Sequence, residues 1–438
     1  MKKYLLFLSF FALPVFTSVA QEKLTMQQAI TIALEKNIDV IRSRNTSQIQ
    51  SANVTTAVGN FLPSLSASAS WNRNGTSFDP TSFIPSGVTA NGSVGARLNA
   101  DVTLFDGFRN TSSLSRANAS AEAAGFDFEK QKQNTVLAVQ QAYLTVLRNK
   151  QLLAVSEDNL KQSRQQLSRI EESNKVGAVA KADLFRQQVQ TANDELTVIN
   201  AQSAYDNSKS DLLYLISMDV TKEYDFDDEF VLSQITNINY DSLQQEYSDF
   251  NKLVQQALEA RPDYQASILS KNIAQSDLSI AKSGHYPTLS LGGSYGIGGD
   301  NFSTISDTKS WSVGLTFSVP IFSGFQTSTQ VQTSQLNFEL ADQSLDQAKR
   351  QVAKEIRNAL LNLETSWKRN EVAKKSVVSA TEDRRIAQER YNLGANTLLD
   401  LLVATSNYTK ALSDKVNASY DFLYAKQLFK VAIGQEKY

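Results

Sequence analysis

The 438-residue sequence has no cysteine and a single histidine, His285. Disulfides, thiolate chemistry and Cys/His zinc sites are excluded, and a Ser-His-Asp triad would have to be built on His285. That histidine sits beside Tyr286-Pro287, just ahead of a strand, and reads as an ordinary interfacial or capping residue. Charge of either sign is not in excess: Lys plus Arg is 43 against 45 for Asp plus Glu, so nothing marks a nucleic-acid binder. Beyond residue 20 no apolar run reaches the length of about eighteen residues that a transmembrane helix needs. Proline is scarce, at 7, and stretches of more than sixty residues lack it altogether, which leaves room for very long helices. No convergent set of catalytic residues and no cofactor motif is present, so the expectation is a non-enzyme with no cofactor and no bound metal.

What is present begins with a secretory leader over residues 1–20. Lys2 and Lys3 form its charged start, Tyr4 to Phe16 its apolar stretch, and Ser18-Val19-Ala20 a small-x-small cleavage site. A mature chain from Gln21 carries 41 basic and 45 acidic residues, and no cysteine stands there to take a lipid. An exported chain that lacks a spanning helix can cross a membrane only with strands.

Strands of that kind are found. In Ser310 to Phe325, Trp311, Val313, Leu315, Phe317, Val319 and Ile321 alternate with Ser310, Ser312, Gly314, Thr316 and Ser318. Period 2 sustained over about ten residues is the length of one tilted barrel strand. A twin lies at Ser93 to Phe108, where Val94, Ala96, Leu98, Ala100, Val102 and Leu104 share one face. Ser93, Gly95, Arg97, Asn99, Asp101 and Thr103 share the other, which suits water and not a core. Apolar outside and polar inside is the pattern of a transmembrane barrel strand, and it places Arg97, Asn99 and Asp101 in the lumen. Shorter alternations over 64–71 and 288–297 supply the two partner strands, with the first two strands reading 64–71 and 93–105 and the second two 288–297 and 310–321.

Each twin ends in Phe-x-Gly-Phe and runs into a helix of about 65 residues, near 100 Å at the usual rise. Long helices are read at 109–173, 181–216, 326–391 and 397–433. Val139, Val146, Leu153, Leu160 and Leu167 make a seven-residue column on the first, and Ala404, Ala411, Ala418, Ala425 and Ala432 one on the last. Such columns require neighbouring helices packed along their length. The order of parts then repeats. Ala33-Leu34-Glu35-Lys36-Asn37-Ile38-Asp39 answers Ala257-Leu258-Glu259-Ala260-Arg261-Pro262-Asp263 at a shift of 224, and Lys175-Val176-Gly177-Ala178 answers Asn392-Leu393-Gly394-Ala395 at 217. The division is a first repeat at 21–218, an acidic linker at 219–250 and a second repeat at 251–438.

Four strands cannot close a barrel, for which about eight is the smallest workable number, and open edges in lipid leave backbone groups unpaired. Oligomerisation follows, and a trimer supplies twelve strands and twelve long helices. The leader, the duplicated strand pairs, the Phe-x-Gly-Phe exits and the Val-Gly-Ala and Leu-Gly-Ala turns resemble the TolC family of outer-membrane efflux proteins over essentially the whole mature chain.

That resemblance implies a mixed α and β membrane protein of the Gram-negative outer membrane. Its duplicated unit is two long antiparallel helices plus two barrel strands. The trimer forms a 12-stranded β-barrel continuous with a 12-helix periplasmic α-barrel. The implied function is a passive exit duct for efflux or type I secretion, with a periplasmic adaptor (membrane fusion) protein and an inner-membrane RND or ABC transporter as partners. The helix turns Val176, Gly177, Ala178 and Leu393, Gly394, Ala395 match the family's periplasmic tip, where adaptors dock and the duct closes. Turn backbone alone is the other reading of the two glycines. Asp400 matches the first carboxylate of the family's Asp-x-x-Asp aperture, the second place being Val403, so one acidic ring is expected; a solvated helix face is the other reading of Asp400. Tyr391 and Asp183 match an inter-helix lock, and Asn396 stands where some members carry arginine.

Rival readings fare worse. Gly292 to Gly299 lacks the lysine and helix of a phosphate loop and alternates with Leu291, Tyr295 and Ile297, so it reads as strand. Asp225, Asp227, Asp228 and Glu229 lack the glycine and spacing of a calcium loop and read as a solvated linker. A trimeric coiled-coil adhesin would need no paired alternating strands.

Overall fold

A computed structural model describes residues 23–75, 90–236, 247 and 249–435. The leader read at residues 1–20 lies outside them. The chain divides into two compact units, one from Met1–Ala33, Ala138–Ile238 and Arg369–Tyr424, the other from Leu34–Leu137, Asn239–Lys368 and Ala425–Tyr438.

In chain order the elements are β1 (Lys23–Leu24), α1 (Met26–Lys36), α2 (Ile38–Gly59), β2 (Ser64–Gly75), β3 (Ala90–Phe105), α3 (Arg109–Lys175) and α4 (Lys181–Leu215). Then follow β4 (Asp225–Phe226), α5 (Glu229–Thr236), α6 (Phe250–Ala260), α7 (Pro262–Ser283), β5 (Thr288–Gly299), β6 (Thr308–Ser318), α8 (Gln326–Asn392) and α9 (Leu398–Ala432). The strands β2, β3 and β5 run longer than the alternation suggested. β6 is a correction in the other direction: it stops at Ser318, not 321, because Pro320 has no N–H for a ladder and restrains Val319 before it.

The second unit holds one antiparallel sheet in the order β2-β3-β5-β6. Its register sorts every side chain. Ser66, Asn99, Ser294 and Ser312 stand in one row across the four strands, with Ser68, Arg97, Gly296 and Ser310 in the next row of that face. The opposite face has the rows Leu65, Ala100, Gly293, Val313 and Ala67, Leu98, Tyr295, Trp311. That apolar face is open: Trp311 is 78% exposed, Val313 70% and Leu65 70%. In water such a patch is unstable, so this face belongs against hydrocarbon. A bulge at Leu104, where Thr103 and Phe105 oppose consecutive residues of β5, ends the regular pairing beside the helix.

The strand-to-helix joints are built alike, 217 positions apart. Gly107 (φ 68°) and Phe108 (φ 68°) both take the left-handed conformation, as do Gly324 (φ 59°) and Phe325 (φ 63°). A bulky residue adopts that conformation only at a cost of about 1–3 kcal/mol. Edge-to-face contacts offset part of it: Phe105 lies 5.4 Å from Phe108 and Phe322 5.5 Å from Phe325, both at 87°.

Elsewhere in this unit a buried arginine organises the helices. Arg261 separates α6 from α7 with an extended backbone (ψ 122°). Its guanidinium reaches Asp263 Oδ2 and Glu355 Oε2, each at 2.6 Å, and donates to the carbonyl of Ala432 at the end of α9. Burial works to raise the Asp263 carboxyl, but Arg261 and Lys130 outweigh it and hold it at about 2. α7 runs antiparallel to α3, tied by Arg116–Asp277 and Lys130–Asp263.

The other unit centres on Tyr143, fully buried, whose hydroxyl bonds to the carbonyls of Leu24 and Asp227. Those carbonyls flank the parallel pairing of β1 with β4. The acidic stretch is thus not only a solvated linker, as the sequence suggested. Phe226 is 1% exposed, Lys150 pairs with Asp225 and Asp228, and α5 follows; residues 237–246 and 248 lie outside the described part. Among the described residues no group of His, Cys, Asp and Glu is fit to hold a metal ion. Most of each heptad column is core: Val139, Val146, Leu153 and Leu160 are buried, as are Ala404, Ala411, Ala425 and Ala432, while Leu167 and Ala418 are half-buried.

Arg261→Ala should lower stability by about 3 kcal/mol, the low end for breaking a buried ion pair because the two carboxylates left behind keep some solvent. Thermal melting of the detergent-extracted protein measures it. Because the folded Asp263 titrates below its unfolded value, its contribution is present above about pH 4 and is lost as pH falls toward 2. The wild-type melting temperature should therefore drop across that window, with a smaller drop in Arg261→Ala.

Candidate functional site

The site foreseen at the two helix turns lies within the first unit. α3 ends with Val176 as its last capping residue. Gly177 N–H then bonds to Asn174 O at 3.0 Å and Ala178 N–H to Ser173 O at 2.9 Å, with Gly177 at φ 75°. α8 ends the same way: Gly394 N–H to Tyr391 O at 3.0 Å, Ala395 N–H to Arg390 O at 2.8 Å, Gly394 at φ 70°. Both are Schellman closures, whose left-handed position suits glycine. Their apices present bare apolar side chains, Val176 at 80% and Leu393 at 83% exposure.

Tyr391 packs on the small core of Ala387, Leu401 and Ala404. Burial raises its hydroxyl pKa and the charge of Asp183 adds to the rise, while a hydrogen bond with Gln166 opposes both. Tyr391 and Asp183 thus share one neighbourhood, with α3, α4, α8 and α9 all contributing to it. Asp183 also pairs with Arg186 one turn on, at 2.8 Å. Asn396 is half-buried in the turn itself. Asp400 is exposed and forms a reciprocal cap with Thr397: its Oδ2 accepts from the Thr397 N–H at 3.0 Å and hydroxyl at 2.7 Å, and its own N–H donates back at 3.2 Å. Those bonds lower the Asp400 pKa, so its carboxylate is ionised at neutral pH. α4, by contrast, starts at Ala180 with no side-chain cap.

Three features of this unit escaped the sequence reading. Phe185, Val189, Ala192, Leu196 and Ile199 form a second apolar heptad stripe on α4, and all five are exposed. The signal was there, at spacings of four, three, four and three. With Leu399, Leu402 and Val403 of α9, Phe185 and Val189 line an open apolar groove. The third feature is a polar seam. Gln187, 1% exposed, donates to Ser163, and the buried Asp194 carboxylate accepts from Asn159 at 2.9 Å and Gln190 at 3.0 Å. Arg384 joins it, resting 4.0 Å above the Tyr408 ring and bonding to Gln162.

In the sheet, Arg97, Asn99 and Asp101 share the polar face. The glycines of β5 make room for them: a Cβ on Gly292 would meet Asp101 Oδ1 at 2.9 Å, and one on Gly296 the Ser310 Oγ at 3.3 Å and Arg97 Nε at 3.8 Å.

A sheet with one face for lipid and one for water, joined to paired helices of 67 and 35 residues, defines an outer-membrane channel. The family described as Outer membrane efflux protein matches residues 29–216 and 253–435, and the chain belongs to it. It is 25% identical to Outer membrane protein TolC of Escherichia coli, across 99% of this chain and 87% of that one. It is 24% identical to Outer membrane efflux protein BepC of Brucella suis, across 96% and 88%. In fold it is similar to the CmeC outer membrane channel of Campylobacter jejuni (TM-score 0.78, 21% identity, 94% and 87% covered). It is likewise similar to CusC (TM-score 0.79, 15% identity, 94% and 92% covered). The protein is thus an exit duct of the Gram-negative outer membrane that reaches into the periplasm, and not an enzyme.

Gly177→Ala and Gly394→Ala should each weaken their turn by about 1–2 kcal/mol, the cost of a left-handed Cβ. Nothing lies within 4 Å of either added Cβ, so crowding contributes nothing. Asparagine should cost less than alanine at both positions. Hydrogen exchange of residues 173–180 and 390–397 is the measurement, with faster exchange confined to the substituted turn.

Proposed function

We propose that three copies close one 12-stranded barrel in the outer membrane and that their long helices form a 12-helix periplasmic α-barrel, one continuous duct. The observation that carries this is the two-faced sheet whose edge strands β2 and β6 have no outer partner among the described residues. In hydrocarbon those edges must find partners, and a second and third copy supply them. The exposed stripe from Phe185 to Ile199 supports the same assembly, since an apolar heptad face needs a facing helix. Arg97, Asn99 and Asp101 then face the lumen.

The duct receives cargo from an inner-membrane RND or ABC transporter through a periplasmic adaptor. Adaptor docking at Val176-Gly177-Ala178 and Leu393-Gly394-Ala395 is supported by the bare Val176 and Leu393 on rigidly closed turns. At the aperture, three Asp400 carboxylates form one acidic ring. Val403, 53% exposed one turn on, gives an apolar ring in place of a second acidic one. Tyr391 and Asp183, which share one neighbourhood, hold the tip closed, and Asn396, uncharged in the turn between α8 and α9, adds no salt bridge to that lock.

Conductance of the purified protein in a planar bilayer tests both parts, with wild type beside Asp400→Ala. The wild type should pass a small cation-preferring current blocked by multivalent cations, and the variant should lose both the preference and the block. A conducting variant identical to wild type would remove Asp400 from the axis and leave the duct standing. A monomer in mild detergent that conducts nothing would end the barrel proposal.

A further inference from the structure

The two halves correspond residue for residue through their strands and helices. A shift of 224 carries α2 onto α7, end to end, and a shift of 217 carries α3 onto α8. The same shifts carry the β2–β3 ladder, from Ser64 opposite Asp101 to Asn74 opposite Asn91, onto the β5–β6 ladder, from Thr288 opposite Ser318 to Gly298 opposite Thr308. Between the halves lies a junction of β3 with β5 and of α3 with α7. Asp101 stands opposite Gly292 in the sheet, Arg109 Nε donates to Ser283 Oγ at the joint, and Arg116–Asp277 and Lys130–Asp263 tie the helices. Gly107 is crowded there: a Cβ on it would meet Tyr286 Cβ at 2.6 Å and Ser283 O at 2.8 Å. Its equivalent, Gly324, has nothing within 4 Å of such a Cβ. A left-handed backbone alone does not call for glycine at this joint, since Phe325 beside it takes φ 63° with a full side chain.

We infer that the junction within the chain is the template for the junction between copies. β6 and α8 of one copy seat head to tail on β2 and α2 of the next, and Gly324 closes on Leu62 and Gly59 of that neighbour, the equivalents of Tyr286 and Ser283. The inference rests on the duct reading, which requires another copy at each sheet edge. The duplication selects the occupant, because the next copy brings to β6 and α8 the equivalents of the elements that β3 and α3 already hold. Carried across by the two shifts, Thr316 stands opposite Ser70 of the next copy and Leu315 opposite its Trp71. Polar then meets polar and apolar meets apolar, whereas a slip of one residue would invert every face. Along the helices the chemistry changes. The cations Arg116 and Lys130 become Thr333 and Gln347, so neither tie has a counterpart. Leu336 and Leu340, 53% and 59% exposed, stand instead where α3 has Ala119 and Ala123. Ile49 of the next copy, 59% exposed, comes to the level of Asn337, between the two leucines. The seam between copies is apolar where the seam within the chain is ionic, and repeating it around a ring leaves no edge open.

The chain has no cysteine, so introduced pairs report contacts without background. The test compares Ser70→Cys/Thr316→Cys with the slipped pairs Ser68→Cys/Thr316→Cys and Asn72→Cys/Thr316→Cys, each extracted in mild detergent and treated with a mild oxidant. Directly opposed residues lie within the roughly 4.4–6.8 Å that a disulfide spans, and slipped ones at about 7–8 Å. Within one copy the two sites are about 14 Å apart, three strand spacings, so a link must join two copies. Covalent oligomers are read on a denaturing gel without reductant, and conductance is recorded on the same samples. The Ser70/Thr316 pair should yield about tenfold more linked product than either slipped pair. Gly324→Asn tests the joint: asparagine accepts the left-handed backbone, so the copy should fold, but its Cβ occupies the place of Leu62 and the trimer should be lost. Conducting variants that link best through a slipped pair, or through none, overturn the template alone. A Gly324→Asn protein that stays trimeric like the wild type overturns the joint contact. A wild type that neither conducts nor assembles overturns the duct and the template together.

Discussion

The backbone of an edge strand carries donors and acceptors that must be paired, and hydrocarbon offers neither. This single constraint governs the molecule. β2 and β6 flank a sheet whose apolar face has no cover among the described residues, so the described protomer is a part and not a whole. Its remaining features serve that part. The bulge at Leu104 ends the ladder, Phe108 and Phe325 accept a strained backbone to aim the chain into helices, and Arg261 gathers three helix ends around one charge.

The two halves solve equivalent problems with different chemistry. Asn37 and Arg261 occupy corresponding places, and both break a helix with an extended backbone. Asn37 does so by accepting from Asp39 and Val40, while Arg261 does so with its guanidinium among two carboxylates and a carbonyl. Ser217 and Gly434, also corresponding, both take the left-handed closure at a helix end. At Thr397 the capping box that starts α9 has no counterpart at Ala180. The second half therefore holds its tip helix more firmly at the first turn than the first half does.

Much of this was legible because periodicity reports directly on faces. Alternation from Ser310 to Ser318 placed Trp311 and Val313 together, and the column of alanines on α9 announced its buried side. Val319 to Ile321 continued the alternation past the strand, since pattern alone does not weigh the missing N–H of Pro320. The acidic run around Asp225 hid a core residue, because Phe226 is one aromatic among charges and its partner strand is only Lys23–Leu24. The stripe from Phe185 to Ile199 was overlooked beside the stronger column it accompanies. The partners of Asp400 were beyond reach in a different way. Thr397-x-x-Asp400 spells a capping box, yet a carboxylate that caps a helix and one that lines an axis look the same in sequence.

The order of the sheet has a consequence for how the protein comes to be. β3 pairs with β5, so the central ladder joins strands from opposite halves of the chain, nearly two hundred residues apart. Neither half can complete a sheet alone. Closing so long a loop is slow, and the early hairpin of β2 and β3 waits with an apolar face and free edges while the rest is delivered. A chain in that state is a template for wrong pairing, and the time spent there, not the stability of the finished duct, sets how much of it must be chaperoned to the membrane.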